Sequence, residues 1–279
     1  MAVSHGMLTR VGFREREHTV TVIALQGVIN ARDLGGIPVA GGRMVKPGLI
    51  YRGSALPRAT DDDCKTLFEE LGIACVIDVR CGWEREAKPD RTWPGVENLF
   101  IPFYDQDIVG IEYAEPAAGT HPVGRDMACD PNLLYRHITN PLTVGQMRQA
   151  VTALFGYAMA GKPVYLHCSG GKDRAGLLAA LALRILGASE EDILADYLLT
   201  NESRDKRYQE MLDRFRAFTD DEQRARELVL SHRALPEYLA VFNESIAERY
   251  GSMDEFMVNQ LGMNPEMRDH IRETCTIER

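Results

Sequence analysis

The segment Pro163-Val-Tyr-Leu-His-Cys-Ser-Gly-Gly-Lys-Asp-Arg174 constrains the fold of this chain more than any other. Pro163 to His167 reads as a short strand, the glycine pair as a tight turn, and the apolar stretch from about 175 to 186 as a helix. Strand, glycine loop and helix in direct succession form the repeating unit of an α/β sheet. Ile73-Ala-Cys-Val-Ile77, closed by Asp78, is a continuous apolar run. Such runs suit strands covered on both faces, as in a parallel sheet.

Thr19 to Leu25, Gly48 to Tyr51 and Leu99 to Phe103 read as further strands. A helix at about 61–71 places Cys64, Leu67, Phe68 and Leu71 on one face. Residues 143–160 read as a helix with Thr143 at its N-cap. The mixed stretch 104–141 reads as a long loop or partly helical excursion. Beyond 188 the pattern is helical. Ser189/Asp192, Thr219/Glu222 and Ser252/Glu255 look like capping-box starts, and Asn264-Pro265 supplies an N-cap and first helical residue. The expectation is one domain over 1–279, with an α/β core at 18–188, a mostly parallel central sheet flanked by helices, and a helical extension at 189–279.

A chain of 279 residues can bury a sizeable core. Its net charge of −9 argues against general nucleic-acid binding, which draws on a basic surface. A local pocket can still hold an anion against the global sign. Six cysteines, with no C-x-x-C pair or His/Cys ladder, suit free thiols in a reducing compartment better than a disulfide scaffold or zinc site. Met1 to Val20 carries charges at Arg10, Arg14, Glu15, Arg16 and Glu17 and no apolar core, so no Sec signal is expected. Gly176 to Ala188, broken by Arg184, is too short to span a bilayer. Together these predict a cytoplasmic protein without a transmembrane segment. Export by a non-Sec route and the oligomeric state stay open.

The loop from Cys168 to Arg174 carries the chemistry. Amides of a glycine-bearing turn at a helix N-terminus form an anion nest, here Ser169, Gly170, Gly171, Lys172 and Ala175. A cysteine at such a position is favoured as thiolate. The planar fork of Arg174 suits two oxygens of a phosphate. Gly171-Lys172 is not a nucleotide P-loop, because Asp173 stands where Ser or Thr is required and Leu166 where the first glycine is.

The Cys-x5-Arg spacing resembles the signature of cysteine-dependent protein tyrosine phosphatases. Asn30-Ala-Arg-Asp-Leu-Gly-Gly36, Lys46-Pro-Gly-Leu-Ile-Tyr-Arg-Gly-Ser54, Val76-Ile-Asp-Val-Arg80 with Glu84, Asp196-Tyr-Leu-Leu-Thr-Asn201 and Tyr250-Gly-Ser252 resemble successive blocks of the atypical bacterial and fungal branch, over about residues 20–262. The resemblance implies a tyrosine-phosphatase-like α/β fold and a metal-free reaction needing no cofactor. It implies Cys168 as nucleophile, Arg174 as phosphate clamp and Asp173 as general acid. Asp105 and Asp107 are rival acids. Lys172 adds a second cation, which in similar loops goes with phosphoinositide substrates. Phosphorylated protein or phosphoinositide is therefore the implied substrate. Relatives also carry a helical lid, matched here to about 203–232. That stretch, rich in Arg204, Lys206, Arg207, Arg214, Arg216, Arg224 and Arg226 among acids, reads equally as a solvated charged face.

Two departures stand out. Ala175 replaces the Ser or Thr that usually follows the arginine and helps expel the thiolate. Ala31 stands where an aromatic is common. A weak phosphate-binding module and a rhodanese-like sulfurtransferase are the alternatives to an active phosphatase. For supporting residues the plainer roles are kept in view. His167 reads as a structural donor, Arg32 and Asp33 as a buried ion pair fixing their turn, and Gly35 and Gly36 as backbone hinges. Asp78 and Arg80 touch ligand or hold the cysteine loop, with neither favoured. The five cysteines other than Cys168 read as packing residues.

Overall fold

The computed structural model describes residues 20–103, 131–205, 208–217 and 219–279. Its strands are β1 (Arg32–Asp33), β2 (Pro38–Val39), β3 (Arg43–Val45), β4 (Ile50–Ser54), β5 (Cys75–Asp78), β6 (Glu97–Phe100), β7 (Val164–Cys168) and β8 (Thr276–Glu278). Five form the central sheet, in the order β1-β4-β7-β5-β6. β4, β7, β5 and β6 run parallel, and β1 is antiparallel at the edge. The expected mostly parallel α/β sheet is present.

Alternation along the strands explains the continuous apolar runs. On one face Ile50, Cys75, Ile77, Val164, Leu166 and Cys168 join the larger core, beneath the helices Pro141–Met159 and Arg174–Leu186. On the other, Tyr51, Val76 and Tyr165 join Cys64, Leu67 and Phe68 of the helix starting at Asp61. Both faces are covered, so no polar alternation survives in the sequence. A small antiparallel sheet, β2-β3-β8, returns the last residues to the first third of the chain. Arg43 fastens it, with Nε donating to Thr276 Oγ1 at 2.7 Å.

Three sequence expectations need correction. Of the strand expected at 19–25, the described residues 20–25 form no strand and make one bridge, Val22 to Arg32. Its neighbour β1 is only 2 residues long, so no ladder extends along the run. The helix expected at 143–160 begins at Pro141, because the Asn140 side chain accepts from the N–H groups of Leu142 and Thr143. The start expected at Thr219 is capped by Asp221, which accepts from Gln223 and Arg224. The starts at Ser189, Ser252 and Asn264 are capped as expected.

The C-terminal part is helical apart from β8. The helices Tyr208–Arg216 and Glu222–Ser231 pack on each other around Leu212, Phe215, Ala225 and Val229, a cluster separate from the two main cores. Exposed ion pairs, Arg216 and Arg226 with Glu222 and Arg224 with Glu227, lie along them. Among the described residues no helix is long and apolar enough to cross a membrane.

Candidate active site

β7 delivers Cys168 at its C-terminal end, where parallel sheets present ligands. The chain then turns through Ser169 to Asp173 and enters the helix Arg174–Leu186. Three successive carbonyls of this turn are each tied to a residue between Asn30 and Ala55. Ala55 N–H donates to Ser169 O at 3.3 Å, Asn30 Nδ2 to Gly170 O at 3.3 Å, and Arg52 Nη2 to Gly171 O at 2.7 Å. A trans peptide points its N–H opposite its carbonyl. The amides of Gly170, Gly171 and Lys172 are thereby each turned away from the anchor of the preceding carbonyl.

Gly171 has φ +69°, and a Cβ there would lie 2.4 Å from Gly53 O. Both facts require glycine. Gly171→Ala is expected to lower the melting temperature and to weaken inorganic phosphate binding together. The left-handed backbone alone costs roughly 1–2 kcal/mol. Thermal unfolding with and without phosphate measures both effects.

The anchors rest on a buried charge cluster. Asp196 takes Arg32 Nε at 2.7 Å and Arg52 Nη1 at 2.5 Å, and all three side chains are at most 2% exposed. Burial, then the like charge of Arg32, pulls the Arg52 pKa down to about 10, still ionised at neutral pH. Burial alone would raise the Asp196 carboxyl, but the two guanidiniums hold it below its usual range. The trio keeps one net positive charge under the loop.

Arg174 is engaged by Glu84, from the short helix Gly82–Ala87. Nη1 and Nη2 donate to both carboxylate oxygens, the second at 2.9 Å, and Ser169 Oγ donates to the same carboxylate. The Cys81 N–H adds a bond of 2.9 Å to Glu84. Burial opposes the charge on Glu84, but Arg174, Ser169 and the Cys81 amide outweigh it and hold the carboxyl far below its normal range. Cys81 Sγ lies 3.4 Å from Arg174 Nη1, so this cysteine adjoins the loop and is more than packing.

A model of the tyrosine phosphatase family matches residues 23–276. The chain belongs to that family. The triple specificity protein phosphatase PtpB of Mycobacterium tuberculosis is 31% identical over 265 residues, covering 85% of this chain and 93% of PtpB. A candidate tyrosine-protein phosphatase of Cupriavidus necator is 30% identical over 180 residues; the match takes in 64% of this chain and only 63% of that relative's length. Among solved structures, the core catalytic domain of the PP-IP phosphatase SIW14 from S. cerevisiae is 15% identical with a TM-score of 0.32, covering 64% of this chain and 78% of that one. TpbA of P. aeruginosa is 16% identical with a TM-score of 0.31, covering 72% and 91%. Similarities this low add nothing to the assignment.

For a member of the tyrosine phosphatase family, the expected loop residues from Cys168 to Arg174 lie on one turn. Cys168 is 2% exposed. Asp173 occupies the helix N-cap, and its Oδ1 accepts from Tyr135 Oη at 2.6 Å. Lys172 is turned from the loop towards the C-terminal helices. Its ammonium donates to Arg233 O at 3.2 Å, lies 5.4 Å from the Tyr238 ring centre and stands 3.4 Å from Asp173 Oδ1. Ala175 is fully buried, so its methyl contributes packing and no hydrogen bond.

Asp78 and Arg80 form a bidentate pair, and Arg80 also bonds Asp90. His167 is fully buried, with Nδ1 3.1 Å from Cys168 O and Nε2 3.3 Å from Asp90 Oδ2. Asp78, Asp90 and His167 are the one set among the described residues that brings three metal-ligating atoms within 4.8 Å. The Arg80 guanidinium already lies between the two carboxylates, so the set fits bracing better than an ion.

Arg32 and Asp33 are not an ion pair. Arg32 pairs with Asp196, while Asp33 accepts from Gly35 and Gly48 N–H at 2.8 and 2.7 Å. Successive strand residues face opposite sides, which separates them. Cys64, Cys75 and Cys275 are buried, and burial pushes the Cys75 thiol up to about 12 and that of Cys275 to about 11. Asp105, Asp107, Cys129, Lys206 and Arg207 lie outside the described residues, as does most of 104–141.

Sequence reasoning missed Asp90, Tyr135 and Tyr197 as site residues. Tyr197 stood inside a recognised block. Tyr135 and Asp90 carried no local signal, because their partners lie 38 residues away at Asp173 and 10 away at Arg80.

Proposed function

We propose that this chain is a phosphomonoesterase that works through a cysteinyl-phosphate intermediate, with phosphotyrosine as first substrate class. The observation that carries the reading is the loop tied by three of its carbonyls, which joins Cys168 to Arg174 and turns the amides that follow those carbonyls away from the ties. Cys168 Sγ attacks phosphorus in line. Asp173 gives its proton to the departing oxygen as the P–O bond breaks, then takes a proton from water as that water displaces the thiolate. The loop amides and Arg174 stabilise the transferring phosphoryl group. No step needs a metal, so chelators should leave activity unchanged.

The name of the PtpB relative supports a substrate range wider than one class of phosphoester. Phosphoserine, phosphothreonine and phosphoinositides are accordingly second-rank substrates. Lys172 favours phosphoinositides less than its sequence position suggests, because its ammonium is engaged with Arg233 and Tyr238. The same contacts support the paired helices before Arg233 as a lid whose base is pinned to the catalytic loop.

Asp173→Asn tests the acid. It is expected to slow phenyl phosphate, a poor leaving group, at least 10-fold more than 4-nitrophenyl phosphate, within the usual contribution of one positioned acid. Equal slowing of both would reassign the role to Asp105 or Asp107. The second reading, a phosphate-binding module, is favoured by Ala175, which offers no hydroxyl to help expel the thiolate. One equivalent of released alcohol without steady turnover would mark a trapped phosphoenzyme. Binding without any release would mark the module. A thiosulfate assay addresses sulfur transfer.

A further inference from the structure

We propose that Tyr135, braced by Tyr197, is a positioning residue that fixes which oxygen of Asp173 carries the catalytic proton. The proposal rests on the reading of Asp173 as general acid.

Asp173 stands at the N-cap of the helix Arg174–Leu186, where an aspartate ordinarily accepts from the first free helix amides. Here its side chain makes no capping bond. It turns instead to the Tyr135 hydroxyl, 2.6 Å from Oδ1. The Tyr135 oxygen in turn lies 2.6 Å from the Tyr197 hydroxyl. Each hydroxyl has one proton to give. Since Tyr135 spends its own on Asp173, Tyr197 must donate to Tyr135, and the chain has one direction.

Both tyrosines are fully buried, and Tyr135 is stacked on Tyr238 at 5.1 Å between ring centres. The hydroxyls therefore have little freedom to turn elsewhere. Burial first, then the nearby Asp173 charge, raises both phenols well above their usual range, so both remain donors across any assay pH. Lys172 Nζ also faces Oδ1, at 3.4 Å. An oxygen that accepts from a phenol and faces an ammonium is a poor place for an acid proton. The proton is left to Oδ2, and it passes from there to the leaving oxygen as the P–O bond breaks. Asp173 then holds a carboxylate whose Oδ1 is already solvated by Tyr135.

The test compares Tyr135→Phe with wild type on phenyl phosphate and 4-nitrophenyl phosphate, reading kcat/KM. The expected result is a fall of about 10-fold on the first and less than 2-fold on the second. The inhibition constant of inorganic phosphate should stay within about 2-fold, because no phosphate contact is removed. In an Asp173→Asn background, Tyr135→Phe should produce no further dependence on the leaving group.

An equal fall on both substrates, or a leaving-group effect that persists without the Asp173 carboxyl, overturns the proposal. If Asp173→Asn shows the leaving-group effect and Tyr135→Phe does not, only the role of Tyr135 fails. If Asp173→Asn shows none, the acid assignment falls and the role of Tyr135 falls with it. Should Tyr135→Phe not fold, Tyr197→Phe carries the test. It keeps the bond to Asp173 and should give the same pattern at about 2- to 3-fold; absence of the pattern counts against the proposal.

Discussion

Cys168→Ser is expected to reduce steady-state turnover of an aryl phosphate by at least ~10⁴-fold, on the scale of nucleophile removal in other covalent hydrolases. That corresponds to about 5 kcal/mol in the barrier. A serine hydroxyl stays protonated at neutral pH and is a far weaker nucleophile than a thiolate. The ties on Gly170 and Gly171 come from Asn30 and Arg52, which the substitution does not touch. Phosphate binding should accordingly persist within a few-fold in the inactive variant, as isothermal titration would show. Full activity in Cys168→Ser would remove the covalent mechanism. Loss of phosphate binding alongside activity would show that the substitution disturbed the loop itself.

The second large effect is structural. Asp196→Ala removes the carboxylate that pairs with both Arg32 and Arg52, two like charges at 2% and 0% exposure. Stranding buried charges in this way typically costs 3–5 kcal/mol. For a chain of this size that is a fall in melting temperature on the order of 10 °C. The loss should be read twice, by thermal unfolding and by phosphate affinity. Arg52 also holds Gly171 O, so a displaced guanidinium releases one tie on the nest. Asp196→Asn keeps an acceptor without the charge and should fall between wild type and alanine. A change in stability with phosphate affinity unaltered would separate the charge cluster from the loop.

Features set by neighbouring residues were the legible ones. The strands around Ile77 and Leu166 were readable because burial on both faces leaves an unbroken apolar run. The turn from Cys168 to Arg174 was readable because left-handed backbone selects glycine at Gly171. Helix starts at Ser189 and Asn264 were readable because a cap is local chemistry. Two helix starts were misplaced because a better acceptor stood nearby, Asn140 before Thr143 and Asp221 after Thr219. The run 19–25 has strand-forming residues but too short a partner, and no single-strand pattern reports on its neighbour.

The site was legible only in part for the same reason. Cys168, Asp173 and Arg174 share one short unbroken stretch and fall in a spacing that chemistry recognises. What holds them is not contiguous. Arg32 reaches Asp196 across 164 residues, Arg52 reaches Gly171 across 119, and Arg174 reaches Glu84 across 90. The block containing Arg32 and Asp33 was singled out, but adjacent opposite charges suggested a mutual pair. Strand alternation sends them to different partners instead.

The Glu84 carboxylate sets a threshold of charge at the Arg174 fork. Any oxyanion that takes the Arg174 fork must compete with a tethered carboxylate, present at high effective concentration and already bonded to Ser169 and the Cys81 amide. A singly charged anion offers Arg174 no more than Glu84 does. Under the proposed mechanism a dianionic phosphate monoester would offer more, since it would meet the fork and the loop amides together. On that proposed reading, discrimination between phosphomonoesters and monoanions would follow from an intramolecular rival, before any part of the substrate beyond the phosphate is read.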